Sequence, residues 1–255
     1  MIEGWAKNPL SLAGLALVSA LVGATAFWLF QQAVPSQRAD ADRGRMEVVV
    51  HDYILAHPEI LPEAMQKLQE RETAQRQTQA AGVVAANAGT ILKPFGSAWA
   101  GNPHGNLTIA EYFDYNCGYC RASLPVIAQL LASDPQLRIV YHEMPVLSDE
   151  SDTAAKLSLA AAEQGKFQAF HNALYAGGRV TPDSMAAAAR TAGIDMARAA
   201  AFAPQAEAQI AASLDLVRKM GLTGTPSWVI GNRVISAALP LDELQKVIAA
   251  ARAGG

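Results

Sequence analysis

The chain has 255 residues, 51% of them hydrophobic, and its 20 Lys+Arg against 23 Asp+Glu give a formal charge of -3. That is enough apolar material for one large domain or two small ones, and it does not suggest a general nucleic-acid-binding surface. With Cys117 and Cys120 as its 2 cysteines, a site of four Cys ligands and a disulfide-stapled scaffold are both excluded.

From Leu10 to Phe30 the chain is almost wholly apolar, and no Asp, Glu, Lys or Arg occurs between Lys7 and Arg38. At about 1.5 Å of rise per residue, such a helix spans roughly the 30 Å of a bilayer core. Trp5 and Trp28 stand where interfacial indoles are favourable. A cleaved signal peptide is the rival reading, but its apolar region is shorter, and Gln31-Gln32-Ala33-Val34-Pro35 is a poor cleavage context. The expectation is an uncleaved anchor over 1–36. Lys7 precedes the span, whereas Arg38, Arg43 and Arg45 follow it, so basic-residue counting favours a cytoplasmic C-terminal side. The cysteine chemistry favours the opposite orientation.

Gln37 to Arg45 reads as a polar tether. Met46, Val49, Val50, Tyr53, Ile54 and His57 then recur at helical spacing until Pro58, and Leu61, Met65 and Leu68 continue after Pro62 into a polar segment ending at Gln79. This 37–85 region is a helical stalk or, through residues 46–79, a self-association element. Ala85 to Asn102 is a transition with a short candidate strand at Thr90 to Leu92.

Leu107 to Phe113 (LTIAEYF) is a better strand, Ser123 to Leu131 a helix, and Leu137 to Tyr141 (LRIVY) the next buried strand, together one βαβ unit. Ser148 to Met220 is alanine-rich and helical in period, with a start signal at Thr181-Pro182 and a stop at Gly221. Ser227 to Ile230 and Val234 to Ile235 flank Gly231-Asn232 as a short hairpin, and Leu241 to Ala250 closes as a helix. The fold class is α/β, interrupted by a helical insertion at about 148–220 within an 86–255 domain.

Cys117-Gly118-Tyr119-Cys120 follows the first strand and opens a helix. The unpaired amides and the positive dipole end there favour a thiolate at Cys117, while Cys120, one turn farther in, is shielded and suited to resolve a mixed disulfide. Zinc would need two more ligands, and the five histidines make no pair at the usual spacing. Two soft thiolates suit Cu(I) as an accessory property. An inert disulfide is the remaining alternative.

LTIAEYFDYNCGYC, LRIVYHEMP, the helical block and GLTGTPSWVIGNRV together resemble the DsbA-family thiol:disulfide oxidoreductases of the thioredoxin superfamily, over about residues 90–250. The resemblance implies a thioredoxin-like fold, Cys117 as nucleophile, Cys120 as resolver, Pro226 as a cis-proline opposite the dithiol, and Thr225 presenting backbone groups to an extended substrate. It also implies a buried Glu111 exchanging a proton with Cys120; from the residues alone, Glu111 is equally a solvent carboxylate at a sheet edge. Neither a cofactor nor a resident metal is implied. Asp114 reads as a turn acid or, close to the helix start, as a secondary electrostatic group, and Arg121 either supports the thiolate or faces solvent. Tyr119 stands where DsbA-type oxidases often carry histidine, which implies a weaker oxidant. His142 and Glu143 either border the dithiol or are ordinary surface polar residues; Phe113, Met144 and Trp228 form either a peptide-binding surface or core. HPEILPEAMQKLQ resembles the N-terminal region of the suppressor-of-copper-sensitivity subgroup, in which such a segment promotes oligomers and isomerase activity.

The expected function is disulfide exchange with cysteine-containing unfolded or misfolded proteins, the alternatives being an oligomeric isomerase, a reductase or a copper-binding dithiol protein. The expected setting is a single-pass inner-membrane protein with its catalytic domain in the periplasm, served by a membrane redox partner and binding no nucleic acid.

Overall fold

The computed structural model describes residues 9–254; Trp5 and Lys7 lie outside the described residues. The chain divides into two compact units between Glu70 and Arg71.

In the first unit, helix α1 covers Pro9–Ala56. It contains Ala13–Gln32, a 20-residue stretch of mean hydropathy 1.9 that is long and apolar enough to cross a membrane. Gln37 to Arg45 is therefore not a separate tether, because helical backbone continues through it. Its Gln, Ala and Arg residues tolerate a helix, and the single Gly44 costs only about 1 kcal/mol. The helix stops two residues before Pro58, whose ring disfavours helical geometry at the preceding residue. Met46, Val49, Val50, Tyr53, Leu61, Met65 and Leu68 are exposed.

Helix α2 covers Ile60–Ile91. It absorbs the polar Glu70 to Gln79 stretch, and it corrects the expected strand at Thr90 to Leu92, which is the end of this helix. Ala80, Val84 and Ile91 share its buried face, and that tertiary burial overrides the strand-like local composition. Asn87 departs from helical geometry (φ -121°, ψ 15°) while its side-chain amide donates to the Val83 carbonyl at 2.8 Å.

The second unit is built on strands β1 (Trp99–Gly101), β2 (Leu107–Phe113), β3 (Leu137–Glu143), β4 (Ser227–Ile230) and β5 (Arg233–Ile235), in the order β1-β3-β2-β4-β5. Strands β2 and β3 are parallel, joined by helix α3 (Gly118–Ser133); the other pairs are antiparallel. The β4–β5 hairpin turns at Gly231, whose φ of +60° a side chain would resist.

Between β3 and β4 stand α4 (Asp149–Glu163), α5 (Phe167–Ala176), α6 (Pro182–Ala192) and α7 (Met196–Met220), the expected helical insertion. Their boundaries are written locally. Ser148 caps α4 ahead of Asp149, Glu150 and Asp152; Thr181 and Ser184 form a reciprocal capping box around Pro182; Asp195 caps α7, and Gly221 ends it at φ +68°. Helix α8 (Leu241–Ala253) closes the chain.

Alternation along the strands separates two cores. Ile109, Phe113, Ile139, Tyr141, Trp228 and Ile230 join α3, α8 and α5 in one cluster. Ala110, Tyr112, Val229 and Val234 join the C-terminal part of α2 and the end of α7 in the other. The sheet is thus covered on both faces, which explains why LTIAEYF reads as nearly continuous apolar sequence rather than as strict alternation. Phe113, Met144 and Trp228 are core, which closes the reading of them as a peptide-binding surface.

Candidate active site

The turn after β2 delivers Cys117 to the N-cap of α3, with extended backbone (φ -76°, ψ 115°). Its Sγ accepts the Cys120 backbone N–H at 3.4 Å, so one of the free amides of the first helical turn faces the sulfur. The Cys117 thiol donates to the Thr225 carbonyl at 3.1 Å. Thr225-Pro226 is a cis peptide bond, as the resemblance implies. Residues 108 positions apart in sequence therefore meet at one sulfur. Both cysteines are free thiols; Cys117 is 6% exposed and Cys120 1%.

Glu111 pairs in register with Tyr141 on β3 and with Trp228 on β4. It is 2% exposed, which removes the solvent-carboxylate reading. Burial, helped by the negative charge of Cys117, pushes its carboxyl up to about 8. Burial also pushes the Cys120 thiol well up, with Glu111 adding to it, and a backbone hydrogen bond from Asp114 offsets part of the rise. The two groups thus hold protons at neutral pH beside a sulfur that faces a helix N-terminus.

Asp114 is more than a turn acid. It is buried, and its carboxylate accepts four hydrogen bonds: from Asn116 N at 2.8 Å and Ser151 Oγ at 2.7 Å on Oδ1, and from Val146 N at 2.9 Å and Leu147 N at 3.1 Å on Oδ2. Arg121 neither faces the dithiol sulfurs nor points freely into solvent. It donates to the carbonyls of Tyr175 and Gly178 and lies over the Tyr175 ring at 6.0 Å, tying α3 to the insertion. Tyr119 is 71% exposed beside the dithiol.

Glu143 is buried and His142 half-buried, so neither is an ordinary surface residue. His142 stacks on Tyr112 at 4.8 Å and its Nε2 meets the Ile91 carbonyl at 2.8 Å, which fastens the end of α2. Glu143 is held well above the usual carboxylate range by burial, a rise that a Ser158 hydrogen bond opposes and the Asp114 charge assists. Ser158 and His171 Nδ1 meet Tyr115 OH at 2.8 and 3.1 Å, and burial depresses His171 to about 3, so its ring stays neutral. Sequence reasoning passed over this buried polar group, because its members come from β3, α4, α5 and the active-site turn and share no local motif. A cavity of about 350 Å³ beside Glu143 includes neither cysteine. Among the described residues no cluster of three or more His, Cys, Asp or Glu is arranged to hold a metal.

Comparison with known proteins agrees with this geometry. The DSBA-like thioredoxin domain matches residues 108–249, and the copper resistance protein ScsC N-terminal domain matches residues 42–75. A thioredoxin-like oxidoreductase from Silicibacter pomeroyi is 38% identical, with a TM-score of 0.59 over 62% of this chain and 92% of that one. BcfH from Salmonella enterica Typhimurium is 25% identical, with a TM-score of 0.69 over 83% and 96%. The thiol-disulfide exchange protein alpha-DsbA2 from Wolbachia pipientis is 26% identical, with a TM-score of 0.61 over 69% and 97%. Among curated proteins, the Na(+)/H(+) antiporter NhaA 1 of Salinispora arenicola is 26% identical over 153 residues, and the chain spans only 24% of that protein's length.

Proposed function

This chain belongs to the DSBA-like thioredoxin family, and from that premise we propose that it is a membrane-anchored thiol:disulfide oxidoreductase working on protein disulfides in the isomerising or reducing direction, self-associated through its N-terminal helical region. The observation that carries the chemistry is Cys117 Sγ at the N-cap of α3, between the Cys120 amide and the Thr225 carbonyl, above the buried Glu111.

Cys117 as thiolate attacks one sulfur of a substrate disulfide, forming a mixed disulfide and releasing the other sulfur as a thiolate. In reduction, the ionised fraction of Glu111 takes the Cys120 proton as Cys120 attacks Cys117 Sγ; the second substrate sulfur leaves and the Cys117–Cys120 disulfide forms. In isomerisation, a substrate thiolate attacks the mixed disulfide instead and Cys117 leaves unchanged. In oxidation the sequence reverses, and protonated Glu111 returns the proton to the departing Cys120. A carboxyl titrating at about 8 can serve both directions near neutral pH. Thr225 and Pro226 present main chain to the substrate strand beside Cys117.

Three features support the isomerising or reducing direction: the ScsC-type match at 42–75, the exposed apolar positions Val50, Tyr53, Leu61, Met65 and Leu68, and an uncharged Tyr119 before the second cysteine. Burial of each large apolar side chain between copies contributes roughly 1.5–3 kcal/mol. Several Cys117 sites around one misfolded protein favour repeated attack. The stretch Ala13–Gln32 supports anchoring, and exchange chemistry supports the periplasmic side, where a membrane partner can maintain the dithiol. Scrambled-ribonuclease refolding by the full chain in detergent, with and without Leu61→Gln and Leu68→Gln together, tests the proposal. Isomerase activity should fall as sedimentation shows loss of oligomer. Full activity from a monomer overturns the self-association reading. Copper is a second reading, supported by two adjacent thiols that suit Cu(I); if Cu(I) fails to protect them from alkylation, it falls.

A further inference from the structure

The main chain of Asp114 meets Cys117. Its carbonyl accepts the Cys117 N–H at 3.0 Å and the Tyr175 hydroxyl at 3.0 Å. Its carboxylate has its four acceptor directions occupied by two loop amides, one turn amide and one hydroxyl, all donors. The neighbouring Asn116 extends the same frame: its amide donates to Ser148 Oγ at 2.8 Å, and its carbonyl oxygen accepts from Val180 N at 3.1 Å. The active-site turn is thereby bolted to the β3–α4 loop, to the start of α4 and to the segment before α6.

We propose that Asp114 is the positioning residue of disulfide exchange, fixing through this hydrogen-bond frame the turn that holds Cys117 Sγ against the Cys120 amide. It touches no substrate. Its side chain acts on loops, while its main chain, held in place by those loops, acts on Cys117. A carboxylate is required because every partner donates. The amide of Asp114→Asn has one acceptor and one donor end, so in either orientation its NH2 group opposes at least one main-chain N–H. The Ser151 hydroxyl alone could reverse its role.

The test is carried out on the full chain in detergent, in a Cys120→Ser background so that Cys117 is the one reporting thiol. Iodoacetamide alkylation at pH 7 is timed with and without Asp114→Asn. Loss of the frame loosens the sulfur from the helix amide, and alkylation should slow by about fivefold, the effect of one hydrogen bond. In the two-cysteine chain, the same substitution should shift the glutathione equilibrium toward the disulfide, because the reduced form loses a stabilising contact. Faster alkylation would mean that the buried charge itself opposes the thiolate, and the proposal fails. Unchanged alkylation and equilibrium with a lower Tm would mean a purely structural residue, and the proposal fails again. If Asp114→Asn does not fold, Asn116→Ala keeps the carboxylate while cutting the ties to Ser148 and Val180. It should also slow alkylation, and an unchanged rate overturns the proposal. Alkylation needs no protein substrate, so failure here is distinguishable from failure of the exchange function, on which the proposal rests only for the identity of the nucleophile.

Discussion

Glu111→Gln removes a carboxyl that burial pushes from 4.5 to about 8, and the consequence for stability follows from linkage. A raised acid binds its proton more tightly in the folded state, so its contribution is fully present below the unfolded value. It is then lost as pH rises toward the folded value, above which the loss levels off. With those two values, the wild-type chain loses roughly 0.8 kcal/mol by pH 5 and about 4 kcal/mol by pH 8 relative to strongly acid solution. Glutamine does not titrate. The variant therefore gains on the wild type by about 3.5 kcal/mol between pH 5 and pH 8. Any fixed cost of burying the amide is the same at both pH values and cancels in this difference. Urea unfolding of the two reduced proteins at pH 5, 6, 7 and 8 measures it, and titrations common to both chains drop out. Two stability curves that stay parallel across this range would show that Glu111 ionises in the folded protein as it does in water, and the proton-carrier assignment would fall with its elevated titration. The same substitution should slow the Cys120-dependent release of mixed disulfides, since the thiol loses its adjacent proton acceptor.

Replacing Cys120 with Ser should accumulate substrate linked to Cys117, while Cys117→Ser should capture none; mass spectrometry of the adduct decides, and linkage solely through Cys120 in the second variant would invert the roles. The Tyr112 hydroxyl is buried without a hydrogen-bond partner, so Tyr112→Phe should raise unfolding stability by about 1 kcal/mol; destabilisation of that size would show that the hydroxyl has a partner. Protease added to intact spheroplasts should digest the domain that follows the apolar helix, and protection until lysis would place it in the cytoplasm and favour a cytoplasmic reductase.

What was legible in the sequence had a local physical signature. Leu107–Phe113 stands where LTIAEYF predicts it because both faces of β2 are covered, and the thiol pair reads directly as the start of α3 because strand, turn and helix are contiguous. Strand β1 was not legible: three residues at a sheet edge, Trp99–Gly101, carry no periodicity and are fixed by pairing with Val140, Ile139 and Arg138. The extension of α2 to Ile91 was hidden because its Ala- and Gly-rich composition is a weak helix signal until Ala80, Val84 and Ile91 meet the sheet. Glu111 was legible as an acid only through its offset from Cys117; that it is buried depends on Tyr141 and Trp228, its neighbours from distant strands. Asp114 looked like turn chemistry because its one local partner, Asn116, is two residues away, whereas its other three partners lie 32 to 37 residues on.

On the proposed mechanism, two buried acids, Glu111 and Asp114, divide the work of the dithiol according to what surrounds them. Nothing near Glu111 offsets its burial, and the Cys117 charge adds to it, so its carboxyl holds a proton at neutral pH and can pass it to Cys120. Asp114, three residues on, spends its lone pairs on four donors, so it is suited to hold geometry. Exchanging the two environments would disable both: a carboxyl tied to four donors would give up its acceptor capacity to structure, and an unpartnered one could not fix three segments. The two acids at 111 and 114 thus lie on either side of a strand end. One stays on the strand, sealed beneath the sulfurs. The other has left the strand and reaches the loop amides that emerge beside it.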